Sequence, residues 1–161
     1  MVKGGNMKDI SVMIDTVRLN YRVGLLIIKD NDVLVEISPV YGTSILPGGR
    51  VKTLESSIDT LVRELKEEMK IDISKDEVQL AGFLENFYNF NALNNHELFV
   101  VYKLIVKDNR FDNISVNYDS DTNYYKWVNK EELDKVNLLP SEVKQLVDSN
   151  SFEHIIINGI K

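Results

Sequence analysis

The strongest constraint on the fold lies between Leu54 and Met69. Leu54, Ile58, Leu61, Val62, Leu65 and Met69 recur at spacings of three and four and draw one apolar stripe. The spacing predicts an amphipathic helix over 54–69, with Thr53 as its N-cap and Glu55 in its first turn. A stripe of that width must be buried against another layer, and the flanking sequence supplies a sheet. Upstream, the apolar runs Val23–Ile28 and Val33–Ile37 flank the polar turn KDND and predict a β-hairpin. The stretch PVYGTSILPGGRVKT that follows is rich in Gly, Pro, Ser and Thr and predicts a loop.

Downstream, VQLAGFLENFYNF and HELFVVYKLIV predict two strands joined by the turn NALNN, and NYYKWVN a third. KEELDKV predicts a short helix, and LPSEVKQLVDS a C-terminal helix starting at Ser141. HIIIN predicts a last strand. Trp127, at a strand-to-helix corner, is assigned to the core. The expected architecture is α+β, an α/β/α sandwich with a mixed sheet between helices. At 161 residues without repeat or low-complexity linker, the chain is expected to be one domain, 1–161, with residues 1–7 a flexible leader.

Composition narrows the function. The net charge of -6 argues against a nucleic-acid polymer or an acidic membrane as partner. A small anionic substrate stays compatible, because a bound cation inverts the local field. No apolar run reaches the length of a membrane span, and MVKGGNMKDI has no apolar signal core. The chain has no cysteine, which rules out a disulfide framework, a thiol nucleophile or a thiolate metal site and fits a cytoplasmic setting.

The octapeptide RELKEEMK, residues 63–70, departs from an ordinary solvated face. With Glu64 at zero on a helical wheel, Glu67 falls near about -60° and Glu68 near about +40°. The three carboxylates share one arc beside the apolar stripe, and each such like-charge pair costs roughly 0.2–0.5 kcal/mol on an isolated helix. A divalent cation turns that repulsion into coordination, and an all-oxygen donor set points to Mg²⁺ or Mn²⁺.

Gly49 precedes Glu55 by five intervening residues. Seven more separate Glu55 from Arg63-Glu64-Leu65-Lys66-Glu67-Glu68, and Ile71 closes the pattern. This resembles the Nudix box, G-x5-E-x7-R-E-U-x-E-E-x-G-U with U a bulky aliphatic residue, and LPGGRV resembles its usual lead-in. Every specified position matches but one. Lys70 stands where the family has glycine, a residue that ends the helix with positive φ at little cost.

The resemblance implies a mixed sheet between helices and metal-dependent hydrolysis of a nucleoside diphosphate linked to another group. It assigns Glu67 and Glu68 as metal ligands, and Glu64 as a ligand or the base that activates water. Gly48 or Gly49 adds a backbone carbonyl to the metal. Arg63 and Glu55 support the carboxylates. Beyond the box, Glu97 is a candidate to complete the metal site or supply the base, with His96 beside it a structural or substrate-edge residue rather than a catalyst. Arg22, in a YRV start similar to that of some Nudix proteins, and Arg50 are candidates for phosphate. Tyr41, Phe87, Tyr88 and Phe90 are candidates to stack a base, with core packing the competing use; Tyr41 and Tyr88 are taken as substrate contacts.

The expected substrates are nucleoside triphosphates or related nucleotides. ADP-ribose or another nucleotide sugar and a dinucleoside polyphosphate are the alternatives, and a non-catalytic nucleotide-binding regulator is the alternative of another class. A homodimer is expected by resemblance alone.

Overall fold

The computed structural model describes residues 6–160. The leader expectation therefore lies outside the described residues for positions 1–5, while Asn6 and Met7 are exposed. Among the described residues, nine strands form one mixed sheet around a central thirteen-residue strand, β2 (Val17–Lys29). The strand order is β4 (Thr43–Ile45), β3 (Asp32–Ser38), β2, β7 (Leu93–Ile105), β6 (Gln79–Phe90) and β9 (Glu153–Asn158). β1 (Ser11–Ile14) and β5 (Gly48–Arg50) also pair with β2, and β8 (Tyr124–Asn129) pairs with β3. The β2/β7 and β6/β9 pairs are parallel and the others antiparallel.

Among the described residues, the β1–β2, β2–β3 and β6–β7 hairpins each turn on two residues. Asp30, with φ 52°, opens the β2–β3 turn, and Asn91 and Ala92, with φ 51° and 62°, make the β6–β7 turn. Positive φ suits such turns because it matches the strand twist. The expected turn NALNN is therefore shorter than drawn, with Leu93–Asn95 already inside β7.

Strand alternation divides the sheet's buried side chains between two faces. Val23, Leu25 and Ile27 of β2 pack with Leu34, Phe111 and the stripe of α1 (Ser57–Met69). Leu61, Leu65 and Met69 of that stripe are buried, each contributing about 1.5–3 kcal/mol by transfer from water. Leu26 and Ile28 face the other way, towards Phe99, Val101, Leu138, Val143 and Leu146. Trp127 is half-buried against the α1-side core, donating its indole N–H to the Phe111 carbonyl at 3.2 Å.

Several boundaries differ from the sequence expectation. α1 starts at Ser57, not Leu54, and its N-cap is Ser56, whose hydroxyl accepts from the Asp59 N–H at 3.1 Å. Leu54 sits with φ 66° and fully exposed, so its place in the apolar periodicity was coincidental. The loop expected over 39–53 contains β4 and β5, each three residues long and below the length at which alternation shows. The β1 hairpin was not anticipated. The helices expected at 130–136 and from Ser141 are short 3₁₀ turns, Lys130–Lys135 and Ser141–Leu146. They cover the sheet face opposite α1.

Candidate active site

β5 places two glycines between β2 and α1. Gly48 has φ 152°, and a Cβ there would overlap the Val23 backbone. A Cβ on Gly49 would overlap the Glu64 carboxylate. The glycines thus let the chain run directly beneath the first box glutamate of α1.

Arg63 organises the acidic residues. Its Nε and Nη2 donate to Glu55 at 2.8 and 3.0 Å as a bidentate fork, and Nη1 donates to Glu64 at 2.7 Å and Glu67 at 3.2 Å. Nη2 also reaches the Arg50 carbonyl at 3.3 Å. Glu55 additionally accepts from the Thr60 hydroxyl at 2.8 Å and the Lys52 N–H at 3.2 Å. The Arg63 hydrogen bond, aided by these donors, holds the Glu55 carboxyl at a pKa of about 2. The same carboxylates push the guanidinium further above its already high range, Glu55 foremost.

Glu64 and Glu68 shift the opposite way. Burial raises Glu64 despite Arg63 beside it. Glu68 is pushed up to about 8, first by burial and then by the charges of Glu36 and Glu64, although the Tyr125 hydroxyl donates to it at 3.0 Å. Asp119 adds to the same effect. Glu67 is more open than Glu64. Among the described residues, no three His, Cys, Asp or Glu side chains converge closely enough as they stand to clasp an ion. Glu64 and Glu67 are turned onto Arg63, and Glu68 onto Tyr125.

Lys70 ends α1 in the left-handed conformation, with φ 59° and ψ 31°, as a glycine would. The Ile71 N–H returns to the Leu65 carbonyl at 3.3 Å and the Lys70 N–H to the Lys66 carbonyl at 3.2 Å, so backbone bonds close the helix end. The lysine side chain offsets part of the strain. Its ammonium donates to the Glu67 carbonyl at 3.0 Å and lies 5.2 Å from the centre of the Tyr118 ring.

The structure brings Gly48, Gly49, Glu55, Arg63, Glu64, Glu67 and Glu68 together. A second group forms on the sheet face opposite α1. Arg22 and Arg50 stand opposite each other across β2 and β5, and Arg22 lies 3.6 Å from Glu97. Tyr88 donates to Glu97 at 3.5 Å, and burial together with that charge raises its phenol to about 12. Among the described residues, Glu97 makes no hydrogen bond or ion pair with a box residue; its partners are Arg22, Asn86 and Tyr88. Tyr41 is exposed and meets Phe90 edge-on at 5.7 Å, while His96 packs edge-on against Phe87 at 4.7 Å.

Sequence reasoning missed Glu36. It is buried on β3, and its Oε1 accepts amide N–H bonds from Asn117 at 3.1 Å and Asn123 at 2.7 Å. Those bonds hang the 115–123 segment beside Glu68, where the Tyr118 N–H donates to the Glu68 carbonyl at 2.8 Å. The available signal was one charged letter inside the apolar run VLVEI. A cavity of about 340 Å³ lies elsewhere, against Ile28, Ile105 and Phe152, and the Lys103 ammonium beside it is engaged by the Val147 and Ser149 carbonyls.

The NUDIX domain family model matches residues 18–148, and the chain belongs to that family. It is a Nudix hydrolase, an enzyme of phosphoanhydride bonds. Its fold is similar to the mutator MutT protein of Bacillus halodurans, with TM-score 0.65 and 16% identity over 86% of this chain and 90% of that one. It is similar to an Ap4A hydrolase of C. elegans, with TM-score 0.54 and 20% identity over 80% and 92%. An ADP-ribose pyrophosphatase of Streptococcus suis gives TM-score 0.51 and 17% identity over 85% and 98%. No curated protein sequence matches significantly. No helix among the described residues is long and apolar enough to cross a membrane.

Proposed function

We propose that the chain hydrolyses a phosphoanhydride bond of a nucleoside triphosphate or related nucleotide, with Mg²⁺ or Mn²⁺ held by Glu64, Glu67, Glu68 and a backbone carbonyl of Gly48 or Gly49. The observation that carries this reading is the charge balance around Glu68. Glu36, Glu64 and Asp119 act on it with like charge, burial adds to them, and its carboxyl rises to about 8. Among the described residues, the Arg63 guanidinium is spent on Glu55, Glu64 and Glu67. An all-oxygen donor set with surplus negative charge suits a hard divalent cation. Glu64 and Glu67 turn away from Arg63 to gather it.

When bound, the cation neutralises the diphosphate and stabilises charge on the leaving oxygen. The protein's own groups do the rest. Arg22 and Arg50, side by side on β2 and β5, grip phosphate oxygens. Water attacks phosphorus as the bridging P–O bond breaks. Glu64 takes the proton the water loses. Glu55 and Arg63 keep Glu64 in position through the bidentate fork.

The test is a panel of ribo- and deoxynucleoside triphosphates, ADP-ribose, nucleotide sugars and dinucleoside polyphosphates with Mg²⁺ or Mn²⁺, read by product analysis. Triphosphates are expected to give a nucleoside monophosphate and pyrophosphate, or a diphosphate and phosphate. Release of no such product from any substrate overturns the reading.

A further inference from the structure

On the sheet face opposite α1, the register sets Asn20, Glu97 and Asn86 abreast across β2, β7 and β6. All three are buried. The row before them, Arg22, Phe99 and Leu84, is largely apolar at its centre, so packing alone does not call for a polar row. Asn20 and the neighbouring Asn95 satisfy each other. Asn20 donates to Asn95 at 3.2 Å and accepts from the Ser11 hydroxyl at 2.7 Å, while Asn95 donates to the Leu93 carbonyl at 2.9 Å.

Glu97 is different. It is only 2% exposed, yet its partners stand off: the Asn86 amide at 3.4 Å, the Tyr88 hydroxyl at 3.5 Å and the Arg22 guanidinium at 3.6 Å. Carboxylates normally accept at about 2.5–2.9 Å, and a buried one without close donors is costly. Glu97 is thus a buried acceptor held only by long contacts, with capacity left for closer donors.

Its position indicates where such donors come from. β5 joins the two halves of the site, because Gly49 touches Glu64 while the next residue, Arg50, stands opposite Arg22. Glu97 lies one row further along β2, about 6.6 Å by strand rise. A nucleoside attached to phosphates at the arginines has the Glu97 row within reach.

We propose that Glu97 is a specificity-determining residue that accepts a pair of adjacent N–H or O–H donors from the nucleoside half of the substrate. The inference rests on the nucleotide reading above. Two groups offer such a pair, the 2′,3′-diol of ribose and the amino–imino edge of a guanine-type base. Asn86 and Tyr88 border the carboxylate and hold it in place until the ligand's donors replace theirs.

Binding of 5′-monophosphates needs no turnover and separates this inference from the catalytic reading. GMP, IMP, AMP and dGMP are titrated calorimetrically into wild-type protein and Glu97→Gln. Removing one contacted donor is expected to weaken wild-type binding at least about tenfold, since the buried acceptor is left unpaired. Loss between GMP and IMP assigns the base edge; loss between GMP and dGMP assigns the sugar. In Glu97→Gln the penalty is expected to shrink below about threefold.

Equal behaviour of all four ligands with wild-type protein overturns the inference, whatever the variant does, and so does a penalty that survives in Glu97→Gln. A protein that hydrolyses nucleotides without any donor penalty keeps the proposed function and loses this inference. One that shows the penalty without hydrolysis does the reverse.

Discussion

Gly49 and Glu64 occupy adjoining space so closely that a single methyl group on Gly49 would overlap the carboxylate. The conformational freedom of that glycine matters less than its lack of a side chain. Gly49→Ala is expected to fold, because β5 is short and at the surface of the site, but to turn Glu64 aside. Steady-state kinetics should show kcat/KM falling at least about a hundredfold, as for other misplaced reacting groups. Activity within threefold of wild type would mean that Glu64 does not work from this position.

Glu67 and Glu68 are predicted to act through the cation. Glu67→Gln and Glu68→Gln should each remove most metal-dependent turnover while circular dichroism stays native. Isothermal titration with Mn²⁺ should show weakened binding in both. Near-wild-type turnover in both variants would remove the two residues from the metal site.

The Glu55–Arg63 fork gives a stability prediction with a defined pH window. Glu55 has a folded pKa of about 2 against an ordinary 4.5. A depressed carboxylate pKa contributes stability that is fully present above the unfolded value and lost as pH falls towards the folded one. The difference corresponds to about 3 kcal/mol at neutral pH. Glu55→Gln should therefore melt well below wild type at pH 7, and the gap should narrow steadily between pH 4.5 and 2. A gap independent of pH would show that the fork does not carry charge-linked stability.

Lys70→Gly separates backbone from side chain. Glycine relieves left-handed strain on the order of 1 kcal/mol but forfeits the contacts with the Glu67 carbonyl and the Tyr118 ring. The expected result is a small rise in Tm accompanied by faster hydrogen exchange in residues 115–123. A clear drop in Tm would place the greater weight on the lysine's contacts.

The central half of the site was legible because its chemistry is local. One helix turn carries Glu64, Glu67 and Glu68, and the spacing to Gly49 and Glu55 fixes their partners. The helix start was misplaced because Leu54 continues the apolar rhythm while its backbone turns left-handed and leaves it in solvent. Glu36 and Asp119 were illegible for another reason. They reach Glu68 only through the pairing of β3 with β8 and the return of residues 115–123, long-range contacts that no window of sequence contains. The same holds for the Asn20–Glu97–Asn86 row, whose members come from three strands. β4 and β5 were too short to announce themselves, although β5 carries both glycines of the site.

β2 has a consequence beyond holding the sheet together. One side of this strand, at Val23 and Leu25, backs the helix bearing the acidic cluster; the other, at Arg22 and Asn20, carries the second group. The two groups therefore share a single stiff rod and cannot drift apart independently. Such a strand acts as a caliper. Under the proposed function it sets the distance between the bond to be cut and the part of the molecule to be recognised, so that backbone geometry gauges the length of a substrate before any side chain reads its identity.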